Sequence, residues 1–407
     1  MKRLLLLALS YCCLICPTAA QAEEGGDEKE TRLASAFRKA IGGSSFEASR
    51  QVVMLPEGGY LMAGRTASHG EGDTDMHVIK LTTSGDILWN KRYGEEESEE
   101  ASDVLPASDG GYLVVGSADD YDEPGLRNVR IVKLNTEGDI LWEKSYGKPN
   151  SINSGNAVVA TDDGGYLIIG NSISVEPDAT SNVYAVKIDV SGNVLWENTY
   201  GGETNEEGKD IAVTPEGFAI VGNTESYGEG RWDMWLLRID KEGQEIARHA
   251  YGGKDNEMGN AVITTQDGGL FLGGYSYSFS KGSLDAWVVK VDAAGQQQWH
   301  KSFGQESTDE AFSLLQLSDG NLVMAGYIDI YEPNDEYVNI SETANEALLV
   351  KFAQDGNVIW EKNFGGIKNQ RAFSIIEAED GGLVIVGSTD EENSSDALVL
   401  KLNLVGE

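Results

Sequence analysis

The sequence predicts an all-β fold: a seven-bladed β-propeller with four antiparallel strands per blade, its ring closed by an N-terminal strand. Three observations predict it. A Lys or Arg is followed five residues later by Gly seven times, at Lys80/Gly85, Lys133/Gly138, Lys187/Gly192, Arg238/Gly243, Lys290/Gly295, Lys351/Gly356 and Lys401/Gly406. An acidic-Gly turn and an apolar run ending in Gly precede each pair, as in Asp163 to Gly170, DGGYLIIG. The last repeat stops after its third strand, while the N-terminus carries a segment spaced like a fourth.

Each element has a physical reason. Asp-Gly and Glu-Gly supply the positive-φ backbone that a tight hairpin needs, so these dipeptides join strand A to strand B. Strand B is the apolar run, strand C ends at the Lys or Arg, and strand D carries an aromatic pair such as Trp89/Tyr93 or Trp142/Tyr146. Runs such as Leu167-Ile168-Ile169 are apolar on both faces, as sheets packed face to face require. Four short strands in a repeat of about 50 residues is the propeller pattern. A small residue stands eight positions before each acidic-Gly turn, at Ser49, Ala101, Gly155, Gly208, Gly259, Ala311 and Ala372. Strand A is expected nearest the axis, where crowding would exclude large side chains. Phe37 and Ile41 followed by Gly42 repeat the spacing of Trp89, Tyr93 and Gly94, so the segment from about Leu33 to Ile41 is expected to complete the last sheet and cover its edge.

These readings divide the chain into a signal peptide over 1–22, an acidic disordered linker over 23–30 and the propeller over 31–407. The blades are expected at about 42–93, 94–146, 147–200, 201–251, 252–303, 304–364 and 365–407, the last completed by 31–41. Lys2 and Arg3, an apolar run from Leu4 to Ile15 and small residues ending at Ala22 form the signal. Cys12, Cys13 and Cys16 all lie within it, so the mature chain has no thiol for a disulfide, a zinc-thiolate site or a nucleophile. A lipid-modified cysteine is the rival reading, but Tyr11 and Ile15 stand where a small residue is needed before Cys12 and Cys16. No later apolar stretch reaches the roughly 18 residues of a membrane span. The expected product is a secreted or periplasmic protein, read as a monomer.

The repeat resembles that of uncharacterised secreted propellers of bacteria and archaea, seen here in YGGETNEEGKDIAV and in DGGYLIIG through VKIDVSGNVLWENTYGG. KIDVSGNVLW and KLNTEGDILW are also similar to the tryptophan-docking motif of quinoprotein-like propellers and of an outer-membrane assembly lipoprotein of that fold. The quinoprotein enzymes bring eight blades, a vicinal disulfide and calcium-binding acids around the quinone. Seven repeats and no mature cysteine leave the packing motif and not the redox activity, so no cofactor is expected beyond calcium.

Without the signal, 29 basic residues face 67 acidic ones, a net charge of −38. Polyanions such as nucleic acid are excluded as partners. The connections from B to C and from D to A emerge on one face and carry −29 of that charge, so this face should be strongly electronegative. Calcium prefers oxygen ligands of this kind, and its candidates are Asp73, Asp75, Asp119, Asp120, Asp122, Asp335 and Glu336. Two positions before the small residue, Glu47, Glu99, Glu206, Glu257 and Asp309 repeat, with Asn153 and Gln370 in the other blades. They read either as a polar ring for a cation or basic peptide, with Tyr331 and Trp232 as further partner contacts, or as caps on backbone N–H groups. A second set opens strand C: Asp75, Asp233, Asp285, Glu346 and Asp396, with Asn128 and Asn182 elsewhere. His77 occupies the strand-C position of Trp235 and Trp287, which packing explains. Zinc-protease, α/β-hydrolase and dinucleotide signatures are missing. The reading is a non-catalytic exported scaffold that binds a protein partner or cationic ligand through its acidic loop face. The rival is a secreted carbohydrate-active enzyme, a polysaccharide lyase or hydrolase using paired carboxylates or a Tyr/His pair, with Tyr227, Trp232, Tyr275 and Tyr277 to stack on sugars.

Overall fold

The computed structural model describes residues 32–68, 73–306, 308–330, 344–365, 369–391 and 394–405; the expected signal and linker lie outside them. The described chain is all β, and no helix is long and apolar enough to cross a membrane. Among the described residues twenty-eight strands fall into antiparallel groups of four, six of them consecutive in the chain. Two of these groups merge into one eight-stranded sheet through a single parallel bridge, Ile152 to Arg127. Strand A of each group is Glu47–Met54, Glu99–Pro106, Ser151–Ala160, Glu206–Thr214, Glu257–Thr264, Asp309–Gln316 and Gln370–Glu377.

The final sheet takes its fourth strand from the other end of the chain. Arg32–Ile41 runs antiparallel to Ser394–Val405, pairing Arg32 with Val405 and Ile41 with Ala397. Each hydrophobic cluster is built from two successive groups, and the last joins Val384, Val386 and Val399 to Val52, Met62 and Ile79 of the first. The packing therefore closes on itself, and the sheet edge left by the missing strand D is covered.

The repeated residues hold this geometry locally. Every repeat Lys or Arg reaches the acidic residue of its own hairpin turn: Lys80–Glu57 at 3.0 Å, Lys133–Asp109 at 2.8 Å, Lys187–Asp163 at 2.7 Å and Arg238–Glu216 at 2.6 Å. Lys290–Asp267, Lys351–Asp319 and Lys401–Asp380 do the same at 3.1, 3.0 and 2.6 Å. In the six repeats where it is described, the glycine five residues on has positive φ and seats an aromatic residue of the preceding group. A methyl at Gly138 would lie 3.2 Å from the Trp89 ring, and Tyr93 donates from its hydroxyl to the Gly138 carbonyl at 2.7 Å. Phe37 occupies the same seat over Gly85, so the closing strand docks as a regular strand D does. In the group over 206–251 Ala247 stands in the tryptophan position, and His249 covers Gly295 instead.

The glycine ending strand B meets a β-bulge in strand A. A methyl at Gly222 would lie 1.7 Å from the Glu207 carbonyl oxygen, beside the register shift between Gly208 and Asp210. The small residue of strand A does not face the axis as the sequence suggested. Added atoms at Gly155 would strike the Gly116 carbonyl and Val129, and at Gly259 they would strike Met234 and Val221, all in the preceding group. Close approach between neighbouring sheets, not convergence at the axis, keeps these positions small.

Candidate functional site: the axial channel and the loop face

The acids two positions before the small residue begin strand A, where the chain arrives from the preceding strand D. Glu47, Glu206, Glu257 and Asp309 are buried at 2% exposure or less. Glu47 accepts from Gly43 N at 2.9 Å, Thr66 Oγ1 at 2.7 Å and Ser68 N at 3.1 Å. Glu257 repeats the set with Gly253 N, Ser276 Oγ and Ser278 N at 2.6, 2.7 and 2.9 Å. Asp309 accepts from Gln305 N and Asp329 N, at 2.9 and 3.0 Å. These side chains tie two connections of the same face together, and a partner docking from solvent would meet none of them.

The acids opening strand C converge on them. A methyl at Gly94 would sit 2.2 Å from Asp75 Oδ1 and 2.7 Å from Glu99 Oε2, so the two oxygens face each other across the space of one methyl group. Gly252 likewise brackets Asp233 and Glu257, Gly304 brackets Asp285 and Asp309, and Gly42 brackets Asp396 and Glu47. Amides enter elsewhere: Asn182 faces Glu206 at Gly201, and Asn128 faces Asn153 at Gly147. Glu99 Oε2 and Asp285 Oδ1, each facing the neighbouring acid, are buried without a hydrogen-bond partner. Burial, with Asp75 beside it, pushes Glu99 up to about 7. Burial and the Asp285 and Asp329 charges push Asp309 up to about 6. Protonation of Glu99 and Asp309, which their raised values favour, relieves the like-charge contact with Asp75 and Asp285.

Inside this layer, the residues three and four positions after the ring acid line an axial channel of about 680 Å³. The fourth position forms a polar belt between neighbouring inner strands. Asp103 accepts from Val104 N at 2.7 Å and from Val158 N of the next group at 2.8 Å. Asp210 accepts from Ile211 N and Val262 N, both at 2.8 Å. Ser313 and Ser374 take the N–H groups of Ile375 and Val52, each at 3.3 Å, and the second of these links the final group to the first. Sequence reading passed over this belt, although its period was visible at Gln51, Asp103, Asp210, Ser313 and Ser374.

On the loop face the calcium candidates are dispersed. Asp73 is exposed, whereas Asp75 is buried against Glu99. Asp119 pairs with Arg127 Nη1 at 2.7 Å. Asp120 Oδ1 accepts from Asp122 N and Glu123 N, and its Oδ2 accepts from Asn128 Nδ2. Asp122 is exposed. Among the described residues no group of three potential ligands gathers in one place. Tyr331, Asp335 and Glu336 lie outside the described residues. Trp232 is half-buried beside the Glu257 amide that its carbonyl accepts. Tyr227 stacks on Trp235, and Tyr275 meets Tyr277 edge-on.

One sector breaks the repeat. The third position after the ring acid reads Arg50, Ser102, Asn156, Lys209, Asn260, Phe312 and Phe373. Where the final strand A meets the first, Arg50 lies over the Phe373 ring at 4.7 Å, and Phe373 meets Phe312 edge-on at 5.2 Å. Phe312 stacks on Tyr327 at 5.9 Å, and Arg371 lies over Tyr327 at 5.0 Å. No sequence period marks this column, because its residues differ from repeat to repeat.

A family described as outer membrane protein assembly factor BamB matches residues 57–223. Regulatory protein FlaEY of Caulobacter vibrioides is 27% identical over 207 residues, 46% of this chain and 21% of that protein, so this match spans about a fifth of the relative's length. Among solved structures, BBS1N in complex with ARL6DN gives a TM-score of 0.50 at 9% identity, over 91% of this chain and 97% of that one. Sqt1 from Chaetomium thermophilum gives 0.44 at 13% identity, over 92% and 100% of the two chains. The family match and the likeness to BBS1N support a quinoprotein-like propeller.

Proposed function

We propose that this chain is an exported, non-catalytic seven-bladed propeller that binds a protein partner with a basic surface, or another cationic ligand, through its acidic loop face. Its strands, grouped in fours, support the count of seven. One observation carries the binding reading: the ring acids are consumed inside the blade junctions, while a separate set of acids projects from the same face into solvent. Glu95, Glu96, Asp122, Glu123, Glu203 and Asp255 are all exposed, and Tyr121 stands 67% exposed among them. A rigid ring carrying variable charged loops suits recognition. The resemblance to an assembly factor and to a regulatory protein is compatible with a scaffold. Residues 1–22 would direct export to the periplasm or medium.

The test compares the protein with a variant carrying Glu95→Gln, Glu96→Gln, Asp122→Asn and Glu123→Gln, each immobilised and exposed to native envelope extract with and without calcium. Retention of a basic protein by the parent, its release by salt, and its loss in an equally stable variant support the reading. Release of oligosaccharides from polysaccharide substrates would replace it with the carbohydrate-active enzyme.

A further inference from the structure

The irregular sector holds cationic charge inside a strongly acidic protein. Arg50, Arg65 and Arg371 line one pocket of about 450 Å³ that opens near Phe46 and continues into the axial channel. Each has a different set of partners. Arg371 donates from Nε and Nη2 to Asn345 Oδ1 at 3.0 and 2.8 Å. Arg65 stands 3.6 Å from Glu100 Oε2, and Arg127 holds the other oxygen of that carboxylate at 2.9 Å. Arg50 makes no hydrogen bond and no ion pair among the described residues; its one contact of this kind is the Phe373 ring. Arg50 is exposed to the channel's water, yet partial desolvation by the surrounding strands and the facing charges of Arg65 and Arg371 hold its guanidinium below its ordinary pKa.

A guanidinium stacked by its face on an aromatic ring keeps its N–H edge for an acceptor in its plane. Here Arg50 lines the channel beside the half-buried Phe312 and Phe373. Three cations brought together repel one another, and a ligand that supplies negative charge among them relieves that repulsion. The charge to be supplied is small. Glu310 and Asp390 line the same pocket, and Glu100 borders the channel, so a dianion would be repelled more strongly than a monoanion. We propose that the sector between the final and first blades binds a small carboxylate with an apolar body, its carboxylate on the Arg50 edge and its body against Phe312 and Phe373. The site is a single constellation in a seven-fold repeat, and its chemistry is opposite in sign to that of the loop face.

Titration calorimetry and thermal shift with benzoate, hexanoate and inorganic phosphate test it, on the parent, Arg50→Gln and Phe373→Leu. Benzoate is expected to bind saturably and raise Tm, with phosphate weaker. Arg50→Gln should weaken benzoate at least about tenfold while changing the unliganded Tm little, because Arg50 is exposed and makes no ion pair among the described residues. Phe373→Leu should narrow the preference for benzoate over hexanoate. Absence of saturable binding by either carboxylate, phosphate binding more tightly than benzoate, or unchanged benzoate affinity in Arg50→Gln would overturn the proposal. A lower Tm in Arg50→Gln with benzoate affinity retained would assign Arg50 to packing alone and overturn it as well.

Discussion

The facing acids at the blade junctions make stability depend on pH in a direction that can be worked out. Glu99 and Asp309 sit at about 7 and about 6 in the folded chain. Burial, largest in both cases, also raises Asp233, which faces Glu257, and Asp285. In the unfolded chain all four titrate near 4. Between those values the folded state holds protons that the unfolded state has released, so stability falls as pH rises. The contribution is fully present below about pH 4 and is lost as pH passes through 6 to 7. Each displacement of about two units corresponds to roughly 3 kcal/mol for the nearly fully buried Glu99 and Asp309. For a chain of this size those two groups predict a Tm lower by about 5–8 °C at pH 8 than at pH 5, and the belt carboxylates Asp103, at about 6, and Asp210, at about 7, add to it in the same direction. Carboxylates held low by lysines, such as Asp163 at about 2, oppose this only on the acid side, which places the maximum near pH 5. The assay is thermal unfolding at constant ionic strength from pH 4.5 to 8.5, for the parent and for Glu99→Gln with Asp285→Asn. These changes put an N–H where Glu99 Oε2 and Asp285 Oδ1 lack a partner, as Asn182 already offers an amide to Glu206. The variant should flatten the profile and be the more stable protein at pH 8. A Tm that is level or rises from pH 5 to 8, or an unchanged slope in the variant, would refute protonation of the facing acids.

Further outcomes follow from the packing. Deleting residues 32–41 exposes the Ser394–Val405 edge and removes Phe37 from Gly85, so Tm should fall further than for any single core substitution and size-exclusion chromatography should show self-association. Trp287→Ala empties a site that is 1% exposed and should cost about 3–5 kcal/mol in urea unfolding, with Trp287→Phe recovering most of it. Gly222→Ala pushes a methyl into the Glu207 carbonyl and should cost at least about 3 kcal/mol, whereas Gly110→Ala, with open space around it, should show only the smaller penalty of its positive φ. Lys133→Met removes the cation from Asp109 and should cost about 1–2 kcal/mol by the same measure, because Asp109 stays partly hydrated.

Much of the fold was legible because it recurs. The Lys-to-Gly spacing located strand C and its turn, and Phe37 was recognisable as the partner of a strand that the last repeat lacked. The site was less legible. Glu47, Glu206, Glu257 and Asp309 recur like binding residues, yet what decides between binding and capping is whether the N–H groups of Gly43, Gly202, Gly253 and Gln305 lie within reach. That distance depends on how two connections cross. The pairing of Asp75 with Glu99, more than twenty residues apart and in different sheets, depends on how neighbouring blades stack.

By itself the sequence determined the strands, their turns, the closing of the last sheet by the first strand and the sign of the loop face. Hydrophobic period, turn chemistry and formal charge are local properties carried by neighbouring residues. The tertiary structure alone decided which acids are buried and face one another, that the small residues face a neighbouring sheet, and that Arg50, Phe312, Phe373 and Arg371 meet in one pocket. Burial and pairing are properties of the packed ring, in which residues more than three hundred positions apart, such as Arg50 and Phe373, come into contact.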